Sequence, residues 1–471
     1  MLSRFAARLP FYYGWIVVAV VFITMAVGVN ARTAFSLFFP PILEEFGWDR
    51  GVTAGAFSFG FLISAFLSPP LGRLMDARGP RWVSLIGIVI TGGGLLLATL
   101  ATQPWHFYLT LGVLVGAGSV CLGYSCQALF LPAWFERRRG LASSIAFSGV
   151  GLGSIFLLPL LQQLIETTGW RSACIALGSF ALIALGPLAL LLERRPQNLG
   201  LLPDGASAPP AVAAARASEA AAPGPSASSA SATAPSTAQK PTPAVTPARP
   251  DTVVDRDWTA IEWTLARALR TSRFWWLALG YFSGLFAWYM VQVHQTKYLV
   301  EIGFDATEAA FALGFVALVG IPGQIALGQL SDRLGREIVW SIGSLGFVLT
   351  YAALIALQQQ PSLAIMWFMV IVQGALGYSL TSVFGAIPLE IFEGPHYGSI
   401  FGTLMFAAIS GGAVGPLVAG LVHDLTGTYT LAWWMGIGSG LLAIVCIWVA
   451  APRKVRLVAG QAEKRAARAT A

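Results

Sequence analysis

Charged side chains are scarce in this chain: Asp, Glu, Lys and Arg make up 11% of its 471 residues, whereas 56% are apolar. Soluble globular proteins carry about 25% charged residues. The composition therefore excludes a soluble protein and indicates that lipid surrounds most of the surface. Histidine and cysteine are also rare, with four of each and no metal-ligand spacing among them, so the sequence predicts neither a metal site nor a cofactor.

All four cysteines fall inside apolar segments, where a thiol behaves as a small hydrophobic group. They are Cys121, Cys126, Cys174 and Cys446. The sequence therefore predicts no disulfide framework. No nucleophile with a neighbouring base and no carboxylate pair stands out either, so an enzyme is the least favoured class of function.

Long apolar runs are what the chain has in abundance. A helix needs about 20 apolar residues to cross a bilayer, and twelve such runs occur, six on each side of a polar stretch. They cover residues 12–35, 52–72, 82–101, 106–131, 140–164, 170–192, 274–299, 308–330, 338–358, 362–389, 398–422 and 428–451. The sequence predicts an all-α membrane protein with twelve transmembrane helices.

The distribution of Lys and Arg predicts the orientation of these helices, because short cytoplasmic loops collect basic residues. If the N-terminus lies inside, 25 of the 29 basic residues are cytoplasmic. The other four are Arg32, Arg50, Arg171 and Lys297. We therefore predict a multi-pass protein of the inner (cytoplasmic) membrane with both termini in the cytoplasm, and a net charge of +7 that reflects topology rather than nucleic-acid binding.

One segment occurs twice. Residues 72–79, GRLMDARG, return as residues 328–335, GQLSDRLG, each time between two apolar runs. Glycine allows close helix approach and a sharp turn, while the acidic and basic side chains can pair at the membrane edge. The predicted gating residues are Gly72, Asp76, Gly79, Arg81, Gly328, Asp332, Arg333, Gly335 and Arg336.

This doubled box resembles the major facilitator superfamily, in which it joins helices 2 to 3 and 8 to 9. A narrower resemblance comes from Tyr13-Gly14-Trp15 in helix 1, from residues 134–142 (WFERRRGLA), and from Gly149, Gly151 and Gly153 in helix 5. Together these motifs resemble the monocarboxylate transporter and oxalate:formate antiporter group. The resemblance implies two six-helix bundles related by a pseudo-twofold axis, a site between them at mid-membrane, and alternating access.

The polar stretch between the halves is rich in Ala, Ser, Pro and Thr and offers little to bury. It is followed by an amphipathic pattern from Trp258 to Arg270, which predicts a helix on the inner membrane face. The predicted domains are an N-terminal bundle (1–195), a disordered cytoplasmic linker (196–256), an amphipathic helix with the C-terminal bundle (257–452), and a basic cytoplasmic tail (453–471).

A second repeat indicates where substrate binds. Leu-Gly-Tyr-Ser occurs at residues 122–125 in helix 4 and again at 376–379 in helix 10, and the pseudo-twofold axis brings these positions to equivalent places beside the central cavity. Tyr124 and Tyr378 could bind one carboxylate through their hydroxyls. The alternative is that each bonds a neighbouring backbone group. Gln127 and Ser382, one turn onward, are weaker candidates.

Arg32, with Asn30 nearby, lies in the outer half of helix 1. A charge inside the membrane is costly and usually functional, so Arg32 is the candidate binding residue for an anion. The alternative is that it reaches the outer headgroups. Animal members of the resembling group carry a functional lysine in helix 1, and ungapped counting places that position at Thr33, next to Arg32.

His294 in helix 7 is the histidine farthest inside a predicted span, and imidazole titrates near physiological pH. It could contact substrate or carry a proton, or it could be a hydrogen-bonded structural residue. Helix 8 has no Asp or Arg between residues 309 and 328, although members of the group often place a charge there. Coupling by such a pair is therefore not predicted.

The sequence thus favours a secondary transporter, acting as a monomer, for a small organic anion and in particular a monocarboxylate, coupled to protons or to anion exchange. The alternative within transport is a proton-driven drug or metabolite exporter. From another class, a membrane sensor that transports nothing stays open.

Overall fold

The computed structural model describes residues 10–48, 50–205 and 252–470. These residues are helical nearly throughout, and their one β contact is an isolated bridge between Val253 and Arg456. Eleven helices among them are long and apolar enough to cross a membrane. One of the eleven, Phe59–Ala98, is broken at Gly79 and contributes two spans. The predicted all-α fold and its twelve spanning helices are confirmed.

The spans fall into two sets of six. The first set is α1 (Gly14–Thr33), α2 (50–78), α3 (80–98), α4 (Pro104–Trp134), α5 (Arg139–Thr168) and α6 (Trp170–Ala189). The second set is α7 (Ser272–Glu301), α8 (Ala306–Leu334), α9 (Arg336–Gln359), α10 (Leu363–Ile391), α11 (Tyr397–Thr426) and α12 (Thr430–Ala450). A further helix, Phe35–Phe46, directly follows α1.

The two box segments form the turns that the sequence predicts. Gly79 between α2 and α3 has φ +77°, and Gly335 between α8 and α9 has φ +116°. Both values lie in the region that favours glycine, because a Cβ would be strained there. Both turns lie at the same end of the molecule, which we call the box end; the other end is the far end.

The same pairs of helices pack in both halves, as a pseudo-twofold axis requires. Helix α1 packs on α5 in the first bundle, and α7 packs on α11 in the second. Between the bundles, α2 packs on α11 and α5 packs on α8. Large apolar side chains on the outer faces are exposed, including Phe156, Ile183 and Leu417, which is the surface that lipid covers in a multi-pass membrane protein.

The predicted linker boundaries are too wide at both ends. Residues Pro196–Leu199 and Pro203–Gly205 form helical turns, and Asp204 accepts 2.9 Å hydrogen bonds from the backbone N–H groups of Glu136 and Arg137. At the other end, Leu457 N–H donates to the carbonyl of Thr252 at 2.8 Å. The predicted disorder of residues 206–251 lies outside the described residues.

The prediction of one amphipathic helix over Trp258–Arg270 is wrong. The structure has two short helices instead, Arg256–Ala260 and Leu265–Ala268. Trp258 donates its indole N–H to the carbonyl of Ile391 at 2.8 Å, and the buried Trp263 packs on Phe392 with ring centroids 5.1 Å apart. These contacts with the end of α10 bend the segment onto the bundle.

The predicted basic tail contains a helix, Ala459–Thr470, which packs on the end of α8. Gly460 lies against the backbone of Arg333, and the Gln461 side chain donates to the carbonyl of Leu334. Glu463 reaches the other bundle and pairs with Arg137 at 3.3 Å. The tail is therefore ordered against both bundles at the box end.

Shortening the linker tests whether it is only a tether. We expect replacement of residues 206–249 by a Gly/Ser segment of about 20 residues, which has an average span of roughly 25 Å, to leave expression and flux near normal. Halving a flexible loop changes its closure free energy by only about 0.6 kcal/mol. Expression and uptake are measured on the same preparation.

A longer replacement that begins at Pro196 is the control. It removes Asp204 and its two hydrogen bonds to the first bundle, so we expect a lower melting temperature for this variant. Loss of folded protein in the shorter replacement would show that residues 206–249 are structural, and loss of flux alone would show that they regulate transport.

Candidate functional site

The carboxylate of Asp76, at the end of α2, binds the beginning of α11 in the other bundle. It accepts hydrogen bonds of 2.8 Å from the backbone N–H groups of Gly398 and Ser399. The first N–H groups of a helix have no partner within it and attract negative charge. Arg194 completes the contact, because one of its nitrogens lies 3.0 Å from Asp76 and donates to the carbonyl of Pro395 at 3.1 Å.

The charges around Asp76 differ from the pairing that the box alone suggests. Arg81, predicted as a gating residue, pairs with Glu193 at 3.2 Å. Arg194 occupies the place beside Asp76, and its partial burial lowers the pKa of its guanidinium while Asp76 opposes that shift. Sequence reasoning missed Arg194 because it follows α6, far along the chain from the box.

Asp332, at the end of α8, makes the equivalent contact with α5. Its carboxylate accepts hydrogen bonds from the backbone N–H groups of Gly140 at 2.9 Å and Leu141 at 3.2 Å. The buried Arg336 lies between two carboxylates, 2.7 Å from Asp332 and 2.9 Å from Glu390. The two boxes thus hold opposite bundles together by the same chemistry.

Glycines bring the bundles into backbone contact at these two points. A Cβ at Gly72 would lie 2.0 Å from the carbonyl oxygen of Gly398, and a Cβ at Gly140 would lie 2.0 Å from that of Gly328. Any side chain there would push the bundles apart. The backbone of the exposed Arg333 contacts Gly460 of the tail helix. The box end is therefore closed between the bundles, and the gating role of these residues remains a prediction.

Both copies of Leu-Gly-Tyr-Ser lie where a helix departs from α geometry. Helix α4 is interrupted at Gly123, with ψ −168°, directly before Tyr124. In α10, a π-helical segment, Val372–Leu376, and a 3₁₀ turn precede and include Tyr378. Such departures are frequent at functional sites. Tyr124 packs edge-on against Phe147 at 5.2 Å, and the Tyr378 ring lies 4.6 Å from Trp288. The joint role of the two tyrosines in binding substrate stays a prediction.

A third tyrosine, which sequence reasoning missed, connects Arg32 with this pair. Tyr289 of α7 lies within electrostatic range of Arg32, Tyr124 and Tyr378. The Arg32 guanidinium stacks on the Phe61 ring at 3.2 Å, and Phe61 meets Tyr289 edge-on at 5.9 Å. We call Arg32, Phe61, Tyr124, Tyr289 and Tyr378 the central cluster.

Two neighbours of Tyr289 on α7 extend the central cluster. The Trp288 ring lies 4.6 Å from the Tyr378 ring, and Gln292 follows one turn further along α7. The buried Gln292 Oε1 has no protein partner. In the sequence, Trp288 and Tyr289 are followed one turn later by Gln292. Such a pattern is also common in ordinary helix packing, so the sequence did not mark these residues as a binding site.

Three predicted residues bond within a bundle rather than in the central cluster. Asn30 donates to the carbonyls of Ala26 and Val150 at 2.8 and 3.0 Å. Gln127 donates weakly to the Cys121 carbonyl at 3.4 Å, and Ser382 donates to the carbonyl of Gln324 at 3.0 Å. These contacts support the packing of their own bundles, and a substrate role for the three stays a prediction.

His294 also lies within one bundle. Its Nε2 is 2.9 Å from the carbonyl of Pro416, and its Nδ1 is 3.2 Å from the hydroxyl of Tyr429. A neutral ring satisfies both contacts by donating from Nε2 and accepting at Nδ1. This geometry favours the structural alternative over proton transfer.

We expect His294→Gln to keep uptake and acid stimulation but to lower the melting temperature, since it loses at least one of two hydrogen bonds worth about 0.5–1.5 kcal/mol each. Tyr429→Phe, which removes one partner and keeps the imidazole, is the matched variant and should behave alike. The measurement is uptake at several external pH values together with thermal unfolding. Surviving exchange with lost acid stimulation in His294→Gln alone would instead identify a proton carrier.

The chain is similar to known membrane proteins over most of its length. The family model of the Major Facilitator Superfamily matches residues 15–385. The chain belongs to this superfamily. It is 26% identical to monocarboxylate transporter 13 of Rattus norvegicus over 439 residues, which cover 91% of this chain and 88% of the relative. It is 27% identical to monocarboxylate transporter 12 of Homo sapiens over 436 residues, which cover 89% and 77%.

Solved structures of the superfamily share the fold. The transporter FucP in the outward conformation superposes with a TM-score of 0.60 at 15% identity, covering 93% of this chain and 98% of that one. The human organic anion transporter MFSD10 gives 0.65 at 17% identity, covering 93% and 100%. The predicted resemblance is confirmed, and the chain is a transporter related to the monocarboxylate transporters.

Proposed function

We propose that this transporter moves a small organic anion, specifically a monocarboxylate, across the inner (cytoplasmic) membrane by alternating access. The observation that carries the proposal is Arg32, a cation in the far half of α1 that stacks on Phe61 within a cluster of aromatic side chains between the bundles. Insertion of such a charge costs roughly 2.5–3.5 kcal/mol at the membrane centre, which an anionic substrate can offset.

In this proposal one cation and two tyrosines bind the substrate carboxylate. Arg32 attracts the carboxylate, and the hydroxyls of Tyr124 and Tyr378 orient it, because a carboxylate accepts hydrogen bonds from phenols well. Tyr289 packs edge-on against Phe61, the ring on which Arg32 stacks. The similarity to proteins named monocarboxylate transporters supports the same substrate class.

The box end is assigned to the cytoplasm, because the basic residues of the short connections gather there. The structure then corresponds to the conformation closed to the cytoplasm, with Asp76 and Asp332 on the first N–H groups of α11 and α5. Opening requires both contacts to break as the bundles rock. A monomer contains both bundles and suffices for this cycle.

The proton-driven exporter is the second candidate, because Gly411, Gly415 and Pro416 of α11 resemble a glycine-proline pattern of such exporters. In the structure, Gly411 and Gly415 pack on the backbone of Phe282 and Phe286 in the same bundle. The pattern therefore allows close packing of α7 and α11, which any transporter of this fold requires. Because these glycines serve helix packing, they do not favour an exporter, and anion transport is the favoured function.

Uptake of radiolabelled acids into proteoliposomes, with and without a pH gradient, tests the proposal. Acid-stimulated uptake identifies proton coupling, and counterflow without such stimulation identifies exchange. Transport of bulky cations in place of acids would establish the exporter. Absence of any flux from correctly folded protein would favour the sensor.

A further inference from the structure

An open cleft lies at the box end, along the seam where α5 of the first bundle meets α8 of the second. Its volume is about 450 Å³, and the tail helix forms one of its walls. Three arginines from both bundles line it together with one side chain of each spanning helix and one of the tail. We call it the seam cleft, and these residues are Arg137, Arg138, Leu141, Gln329, Arg333 and Glu463.

Two of the three arginines are available to a ligand. Arg137 pairs with Glu463 of the tail helix at 3.3 Å. Arg138 and Arg333 are exposed, and neither forms an ion pair within the part of the chain that the structure describes. Because they belong to opposite bundles and line one cleft, their like charges oppose closure of the box end unless an anion lies between them.

The other seam, where α2 meets α11, is an internal comparison. The same contact between a carboxylate and the beginning of a helix holds both seams together. In the first box, however, Ala77 takes the place of Arg333, and Gly-Pro-His follows Glu393 where Arg-Arg-Arg follows Glu136. Closure of the box end therefore does not require the two arginines, and their presence at one seam indicates a separate role.

The seam cleft opens toward the surface that lipid covers. Gln329 is exposed, and the exposed Leu318 and Phe311 lie three and five helical turns earlier on the same face of α8. On α5, the exposed Leu152 follows Leu141 by three turns. Exposed apolar faces of spanning helices lie in the hydrocarbon, so the cleft is at the depth of the lipid headgroups.

Phosphate is the anion that suits this cleft. A guanidinium group binds a phosphate through two N–H groups and stays charged. The cytoplasmic leaflet carries anionic lipids that attract basic residues near the membrane, and the tail helix adds the exposed Lys464, Arg465 and Arg468 at the same end. The acyl chains of a lipid can lie along the exposed faces of α5 and α8, whereas a soluble phosphate gains nothing from those faces.

We propose that the seam cleft binds the headgroup of an anionic phospholipid, with the phosphate between Arg138 and Arg333 and the acyl chains along α5 and α8. Rocking of the bundles to open the box end separates the two arginines, so the lipid binds the closed conformation better. A ligand that prefers one conformation raises the population of that conformation. Anionic lipid is therefore a regulator of the transport cycle.

Distances between two spin labels at the box end test this proposal in the full chain. One label is attached to each bundle at an exposed position, through Arg78→Cys and Lys454→Cys, and the four natural cysteines are buried. Vesicles of phosphatidylcholine are compared with vesicles that also contain phosphatidylglycerol. We expect phosphatidylglycerol to raise the ratio of the short to the long distance at least roughly fivefold.

Removal of both arginines, Arg138→Gln with Arg333→Gln, should abolish the response to phosphatidylglycerol. Each single substitution should reduce it, and the exposure of both side chains favours folded variants. The matched control is Lys464→Gln with Arg465→Gln, which removes the same charge from the exposed side of the tail helix, outside the cleft. This control should keep the response.

Three results would overturn the proposal. The first is an unaltered protein that does not respond to phosphatidylglycerol, and the second is an equal loss of response in the control, which would show a general effect of surface charge. The third is a shift caused by inorganic phosphate in phosphatidylcholine vesicles, which would identify a site for a soluble anion. Since the distances are measured without a transported acid, failure of this proposal leaves the proposed monocarboxylate transport standing.

Discussion

Replacing Arg32 by glutamine is expected to abolish anion uptake while the protein still reaches the membrane. The substitution removes the charge beside Phe61 and Tyr289, and hydrogen bonds to a charged group contribute about 1.5–3 kcal/mol. That range corresponds to a loss of roughly tenfold to more than a hundredfold in affinity. Uptake normalised to inserted protein measures the effect.

Arg32→Lys should rescue uptake poorly. An ammonium group carries the charge but lacks the planar fork that binds a carboxylate through two nitrogens, and it stacks less well on the Phe61 ring. A lysine that restored full uptake would show that charge alone is required, with no contribution from geometry.

Arg171→Gln is the matched control for Arg32. Arg171 also lies against aromatic rings, 4.4 Å from Trp170, but it is at the far end of the first bundle and pairs with Glu45 at 2.6 Å. We expect its loss to leave uptake near normal. Should Arg32→Gln transport the same acids as well as the unaltered protein, Arg32 is a residue that reaches the headgroups and does not bind substrate.

Much of the fold could be predicted from the sequence, because the bilayer imposes a simple rule on it. Every spanning helix must hide its backbone polar groups, so long apolar runs are sufficient to count the helices. The repeat of Leu-Gly-Tyr-Ser likewise placed Tyr124 and Tyr378 in equivalent positions, because internal symmetry relates two segments of one chain without a structure.

The candidate site could be predicted less well, because the side chains that form it bond partners that are distant in sequence. Asn30 and His294 looked like binding residues, yet each bonds backbone carbonyls of helices far along the chain. Tyr289 looked like a packing residue, and only the three-dimensional fold brings it to Phe61 of the other bundle. Side-chain type indicates what a residue can bond, whereas the partner it bonds is set by helix packing.

The ends of the linker and the segment after it were mispredicted for a similar reason. Composition indicates low apolar content, but Asp204 needs only two backbone N–H groups to hold residues 203–205 in place. Trp258 suggested a membrane-facing helix, and it packs instead on the end of α10 together with Trp263. The same apolar side chains can pack on the protein or insert into lipid, so their pattern alone does not distinguish the two.

Asp76→Asn and Asp332→Asn are expected to slow transport more than they weaken substrate binding. Each carboxylate accepts two or more backbone N–H groups at a helix beginning in the opposite bundle. Asparagine keeps one oxygen but loses the charge, and its amide nitrogen cannot accept. Charge at a helix N-terminus contributes about 0.3–2 kcal/mol, so the conformation closed at the box end becomes less populated.

The two variants should differ in severity. Asp332 is 6% exposed and forms part of a buried triad with Arg336 and Glu390, whereas Asp76 pairs with the more exposed Arg194. Breaking a buried ion pair costs about 3–5 kcal/mol, whereas a pair that is partly open to solvent is screened and contributes less. We therefore expect Asp332→Asn to reduce flux more than Asp76→Asn.

Asp204→Asn is the control for these two variants, because it removes similar hydrogen bonds that do not join the two bundles. Asp204 also accepts two backbone N–H groups, both at 2.9 Å, but from Glu136 and Arg137 in the same bundle as itself. Its loss should lower the melting temperature with little change in the rate of transport per folded molecule. Initial flux and substrate affinity are measured separately for all three variants. If Asp76→Asn and Asp332→Asn reduce affinity at unchanged maximal flux, the two carboxylates support the binding site and the box contacts do not limit the opening of the bundles.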